Sequence, residues 1–168
     1  MQAPSPREMF DRFVAAKAKS AAGSAASIPE VCPRAAANAA LVIRYFEMWN
    51  TGDGSVADAV LGPTYVDHAH PEVLGPGALR SLVPRFRAAD PDARMTIEIA
   101  AADDDFVAVR NLVSRSVHGQ LVESEGVALF RVVSDKLVEQ WSCYPDAEAE
   151  RSLLAPPSSR QAWLSFRA

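Results

Sequence analysis

What this sequence has little of narrows its role first. Its two cysteines, Cys32 and Cys143, are too few and too far apart for a disulfide framework, and no CxxC or Cys/His cluster suggests zinc. A reducing compartment is the expectation. No apolar run approaches the roughly 18 residues that span a membrane. The amino-terminal stretch does not read as a secretion signal either, because Asp11, Arg12, Lys17 and Lys19 interrupt the place of its apolar segment. A soluble cytoplasmic protein without membrane contact is therefore expected. Positive charge is not in excess: 17 Lys and Arg against 21 Asp and Glu leave a net charge of −4. That balance argues against nucleic acid as a partner, since such surfaces carry a basic stripe.

What is present is a globular balance. With 49% apolar and 23% charged residues in a chain of 168, there is enough to bury one sizeable core and too little length for several domains. Residues 1–36 read as an appendage. Ser5, Pro6 and Glu8 supply an N-cap, a first-turn proline and a capping-box acid for a short helix with Phe10, Phe13 and Val14, and Pro29 and Pro33 then mark a linker. The domain proper is expected over 37–154, with a tail over 155–168 bearing Trp163 and Phe166.

From Arg34 to Asn50 the spacing of Leu41, Val42, Tyr45, Phe46 and Trp49 predicts a helix stopped by Gly52. Ser55 and Asp58 suggest a capping box for a short helix ending near Gly62 and Pro63. An extended piece spans Thr64 to His68. Leu79, Leu82, Val83 and Phe86 mark a further helix after Gly75, which Pro84 should kink. The second half changes period. Met95, Ile97 and Ile99 alternate with polar residues, as do Val107, Val109 and Val113; turns at Asp103–Asp105, His118–Gln120 and Ser134–Lys136 then divide about four long antiparallel strands ending near Tyr144. Asp146 can cap a closing helix through Leu154. Helices first and a meander afterwards indicate the α+β class, with helices on one face of a curved sheet.

Four segments in this order carry a family resemblance. They are Tyr45-Phe46-x-x-Trp49-Asn50-Thr51-Gly52-Asp53, Tyr65-Val66-Asp67-His68 with Gly75-Pro76, Asp105 to Arg110, and Phe130-Arg131-Val132 through Asp135-Lys136-Leu137-Val138-Glu139-Gln140-Trp141. Together they resemble the SnoaL-like polyketide cyclases of the nuclear transport factor 2-like superfamily. The resemblance implies a cone in which a strongly bent antiparallel or mixed sheet wraps the helices and encloses an apolar pocket. It further implies a homodimer, a small-molecule substrate, and proton-transfer chemistry such as aldol cyclisation or isomerisation with no metal or organic cofactor.

In that family an aspartate on the last strand, just past the Trp141 position, serves as general acid/base, and a histidine often stands on the neighbouring strand. Here those positions are Ser142 and Ala128. A serine hydroxyl is a poor proton shuttle without a base beside it, so either other groups do the chemistry or the domain binds a ligand without converting it. The replacement candidates are Asp67 and Glu139 as general bases and His68 as a proton partner, since a carboxylate next to an imidazole can tune a base. Alternation places Asp67 and His68 on opposite faces unless the backbone turns, and the plainer reading is that Asp67 caps a turn with His68 half exposed. It also sets Glu139 with Trp141 and opposite Ser142, where an ion pair with Arg110 or Arg131 is the plainer role.

The expected ligand contacts are Trp49, Tyr45, Tyr65, Leu82, Phe130, Trp141, Ser142 and Tyr144, with Tyr65 or Ser142 donating to a developing oxyanion. His68 and His70 lie on one side of a strand, but no third ligand is near in sequence, so a metal is not expected. An epoxide-hydrolase site of the limonene type, known on this fold, needs Arg and Asp two apart on one strand; Arg110 is followed there by Leu112.

Overall fold

The structure is a computed structural model that describes Ala15, residues 32–117 and residues 119–144. The expected arm helix, His118, the closing helix from Asp146 and the aromatic tail lie outside the described residues. Three helices precede or interleave with the sheet: α1 over Pro33–Thr51, α2 over Val56–Val60 and α3 over Gly75–Ala89. The strands are β1 (Leu61–Asp67), β2 (Arg94–Ala102), β3 (Phe106–Val117), β4 (Gln120–Val133) and β5 (Lys136–Cys143). They form one curved five-stranded sheet in the order β1-β5-β4-β3-β2.

The meander β2 to β5 is antiparallel, as its alternation and turns predict. The segment at Thr64 goes further than expected. It begins at Leu61, makes a fifth strand, and pairs with β5 in parallel through Leu61↔Leu137, Val66↔Glu139 and Asp67↔Gln140. Parallel pairing needs a long crossover, and α3 with the meander supplies it. Register shifts between Ile97 and Ile99 in β2 and between Arg131 and Val132 in β4 add the local twist that bends the sheet. At the first of these the inward alternation stops: Ile97 packs on the core, whereas Ile99 is exposed.

Local chemistry explains most element ends. Gly52 closes α1 in the left-handed region, with φ of 79° and its amide bonded to the Met48 carbonyl. The capping box at Ser55 does not form; its amide and hydroxyl both bond to Asp53 Oδ1. Those bonds hold the Asp53 carboxyl below its ordinary range. Helix α3 runs through Pro84 as a single element, and the proline leaves the Arg80 carbonyl without its i→i−4 amide. Ser134 and Asp135 both have positive φ, 49° and 57°, which is the two-residue hairpin turn suited to the twist of β4 and β5.

Helix α1 is fixed against the sheet by two asparagines. Asn50 exchanges two 2.8 Å bonds with the Met95 backbone, so the helix end completes the edge of β2. Buried Asn38 donates to the carbonyls of Asp103 and Asp104 at the β2–β3 turn. Between these anchors Val42, Tyr45, Phe46, Met48 and Trp49 face the concave side of the sheet. Arg87 joins the far end of α3 to α1 by donating to the carbonyls of Trp49, Pro91 and Ala93. Burial lowers its guanidinium from the usual value. A hollow remains between α1, α3 and the concave face of the sheet.

Candidate functional site

The hollow has a volume of about 60 Å3. Its apolar wall comes from three directions: Phe46 and Trp49 of α1, Leu79, Leu82 and Phe86 of α3, and Val73 and Met95 at the rim. Trp49 and Phe86 meet edge to face with centroids 5.4 Å apart, so both rings are locked before any ligand arrives. The polar lining is Tyr45, Asp67, His70, Gln140, Ser142 and Tyr144. An apolar pocket with few convergent polar groups is the usual form of a small-molecule site.

Asp67 is the last residue of β1, buried to 7% exposure, and its side chain shares the inward face with Tyr65. Beyond it the chain turns: the His70 amide bonds to the Asp67 carbonyl and the Val73 amide to that of His70. Asp67 Oδ1 accepts the amides of Ala69 and His70, at 3.0 and 3.4 Å. Asp67 Oδ2 lies 3.4 Å from His70 Nδ1. The turn therefore returns an imidazole to the cavity three residues after the carboxylate. This is the group that the sequence reading missed, having considered His70 only as a metal ligand.

His68 does not enter the site. Strand alternation sends it outward, where it is exposed and stacks on Trp141 at 4.5 Å between ring centroids, with planes 5° apart. Trp141 is correspondingly outside the cavity, contrary to expectation. Glu139 shares that outer side and forms a two-point ion pair with Arg131, at 2.9 and 3.0 Å. The hydrogen bonds from Arg131 lower the Glu139 carboxyl and raise the guanidinium. A carboxylate so held is a structural partner, and its expected role as a base has no geometric support.

Two further expected contacts lie in the core. Phe130 is fully buried beneath Tyr45 and Phe46, with centroids 5.2 and 6.2 Å away. Tyr65 is fully buried too, and its hydroxyl donates to Gln140 Oε1 at 2.6 Å. Its single proton is thereby engaged, so Tyr65 is no oxyanion donor. Burial above all, with Tyr45 and the Asp67 carboxylate close by, pushes its phenol well above the ordinary value. Tyr45 is pushed up as well, by burial first and the negative charge of Asp67 next. Both phenols stay neutral across the physiological range and neither can act as a base.

Trp49, Tyr45, Leu82, Ser142 and Tyr144 line the cavity as expected. Gln140 joins them by the alternation that sets Ser142 inward, and parallel pairing puts it beside Asp67. The expected acid position and its neighbour are opposite one another in the ladder, Ala128↔Ser142, and both face the cavity without a titratable group. Gly126 makes room for the Tyr144 ring, since a Cβ there would overlap it. Asn111, buried beneath, donates to the Tyr144 hydroxyl at 3.1 Å. Among the described residues no three His, Cys, Asp or Glu side chains are grouped to hold a metal ion.

Comparison with known proteins agrees with this architecture. The TsrD structure from Streptomyces laurentii is 18% identical and superposes with a TM-score of 0.59, covering 72% of this chain and 96% of its own. A SnoaL-like polyketide cyclase from Agrobacterium tumefaciens is 17% identical with a TM-score of 0.55, over 67% of this chain and 94% of its own. AclR from Streptomyces galilaeus is 23% identical with a TM-score of 0.55, over 71% of this chain and 96% of its own. At such identity these likenesses show a shared fold. No curated protein matches the sequence significantly. The SnoaL-like domain family, however, matches residues 42–140, more than half of the chain, from within α1 to the middle of β5. The chain belongs to the SnoaL-like domain family, within the nuclear transport factor 2-like superfamily.

Proposed function

We propose that the chain is a cofactor-independent cyclase or isomerase that moves protons on a small, largely apolar, carbonyl-bearing molecule of the natural-product kind. The observation carrying this reading is the Asp67–His70 pair inside a mainly apolar cavity. In the tautomer whose Nδ1–H faces Asp67, Nε2 is the nitrogen that takes the proton. Asp67, held by two backbone amides, fixes that tautomer and stabilises the imidazolium formed when a proton is taken. Trp49, Leu82 and Phe86 would position the flat apolar body. In this reading the protein works in the cytoplasm as a homodimer, to which exposed Ile99, Leu121 and Val122 offer apolar area; sedimentation equilibrium tests the dimer.

Deuterium exchange tests the chemistry. The C1 methylene of 2-tetralone is acidified by its carbonyl and ring, so its exchange in D2O, followed by proton NMR, reports proton abstraction directly. Acceleration over buffer is expected. Asp67→Asn and His70→Asn should each lower it about 100-fold or more, and the double variant should lose little beyond either, because the two act as a unit. Unchanged exchange in both single variants would overturn the assignment.

The second reading is a scaffold that binds without converting. It is favoured by Ala128 and Ser142 facing the cavity where the family carries titratable groups. Saturable binding of 2-tetralone with no acceleration of exchange would support it.

A further inference from the structure

We infer that Gln140 is the specificity-determining donor of the cavity, selecting ligands with a carbonyl oxygen, and that Tyr65 is the positioning residue that aims it. This rests on the proposed reading only in taking the cavity as a ligand site. The Gln140 side chain is buried to 8% exposure and lines the cavity. An amide has one acceptor oxygen and two N–H donors. The oxygen is claimed by the Tyr65 hydroxyl at 2.6 Å, from a phenol with no exposure to solvent.

The Tyr65 phenol carries one proton, and the 2.6 Å bond gives it to Gln140 Oε1. The amide is therefore held with Nε2 on the side away from Tyr65. Among the described residues nothing accepts from Nε2. A donor directed into an apolar hollow rewards an acceptor and penalises an isostere lacking one.

The neighbours fit the same purpose. Parallel pairing sets Asp67 next to Gln140, and the His68 amide bonds the Gln140 carbonyl at 2.8 Å, so the two inward side chains are held side by side. A ligand carbonyl at Gln140 then presents its adjacent carbon towards the Asp67–His70 pair. Negative charge developing on that oxygen meets an N–H already in place. Acidic ligands are disfavoured by the buried Asp67 carboxylate, which directs the selection to neutral ketones, aldehydes and esters.

Acetophenone and α-methylstyrene, which differ in C=O against C=CH2 and otherwise share shape, test this by NMR titration of the full chain. Acetophenone is expected to bind about threefold to tenfold tighter, the worth of one net hydrogen bond, and to shift the Gln140 side-chain amide resonances downfield. Gln140→Leu should bring the ratio to about one while α-methylstyrene binding persists. Tyr65→Phe, folded by its amide spectrum, should lower the ratio and leave α-methylstyrene unaffected, which a merely structural role would not do. Equal affinities in the wild-type protein, no saturable binding of either, or an unmoved Gln140 amide with acetophenone bound would overturn the inference. Carbonyl preference without tetralone exchange counts against the proposed reaction alone.

Discussion

The two faces of strand β5 use one short sequence for opposite purposes. Gln140 and Ser142 point into an apolar hollow, where few polar groups meet and each has a defined partner or a defined opening. Glu139 and Trp141 point outward, where Arg131 grips the carboxylate and His68 covers the indole. The same contrast runs along the sheet: Arg110 pairs with Glu98 at 3.3 Å on the outside, while Val109 and Phe130 are fully buried inside. What separates the faces is solvation. A charge on the wet face is screened and worth little, whereas a carboxylate or amide in the hollow acts in a medium where each hydrogen bond tells.

Four substitutions would break or sharpen that contrast. The largest effect is expected at Asp67, where Asn should cut tetralone exchange by about 100-fold or more with little change in the unfolding midpoint; an unfolding shift of equal weight would make it a structural residue like Glu139. Phe130→Ala should cost about 3–5 kcal/mol in urea unfolding, because a buried ring under Tyr45 and Phe46 leaves a void. Glu139→Gln should cost under about 1 kcal/mol and leave exchange intact. Its pH dependence has a definite sign. The folded carboxyl is lowered by the Arg131 hydrogen bonds, so the stabilisation is present above the ordinary glutamate range and fades as pH falls through the lowered value. The smallest change is His68→Ala, about 0.5 kcal/mol from the lost stack on Trp141, again with exchange unaltered. A large activity loss at Glu139 or His68 would erase the distinction between the faces.

Much of this was legible from residues alone. Helix α1 and its glycine stop, the four-strand meander and the Ser134–Asp135 turn follow from spacing and turn chemistry, and alternation correctly set Glu139 apart from Ser142. Gln140, two residues before Ser142 on the same face, was not singled out from the sequence, and only the cavity lining shows it. Other features were out of reach. A turn capped by Asp67 is local and was among the sequence readings, whereas its return of His70 to the cavity depends on where the end of β1 is packed. Tyr65 and Phe130 looked like ligand contacts because an aromatic at an inward position suits wall and core equally.

By itself the sequence determined the order of helices and strands, which side chains share a face, and the family to which the chain belongs. Those properties are local: they depend on neighbours three or four positions away in a helix and two in a strand. Only the tertiary structure decided that β1 joins β5 in parallel, that Asp67 and Gln140 therefore stand side by side, and that His70 rather than His68 reaches the carboxylate in the cavity. Strand pairing across some seventy positions is set by the packing of whole elements around one core. Periodicity assigns residues to faces, and packing alone decides which faces meet.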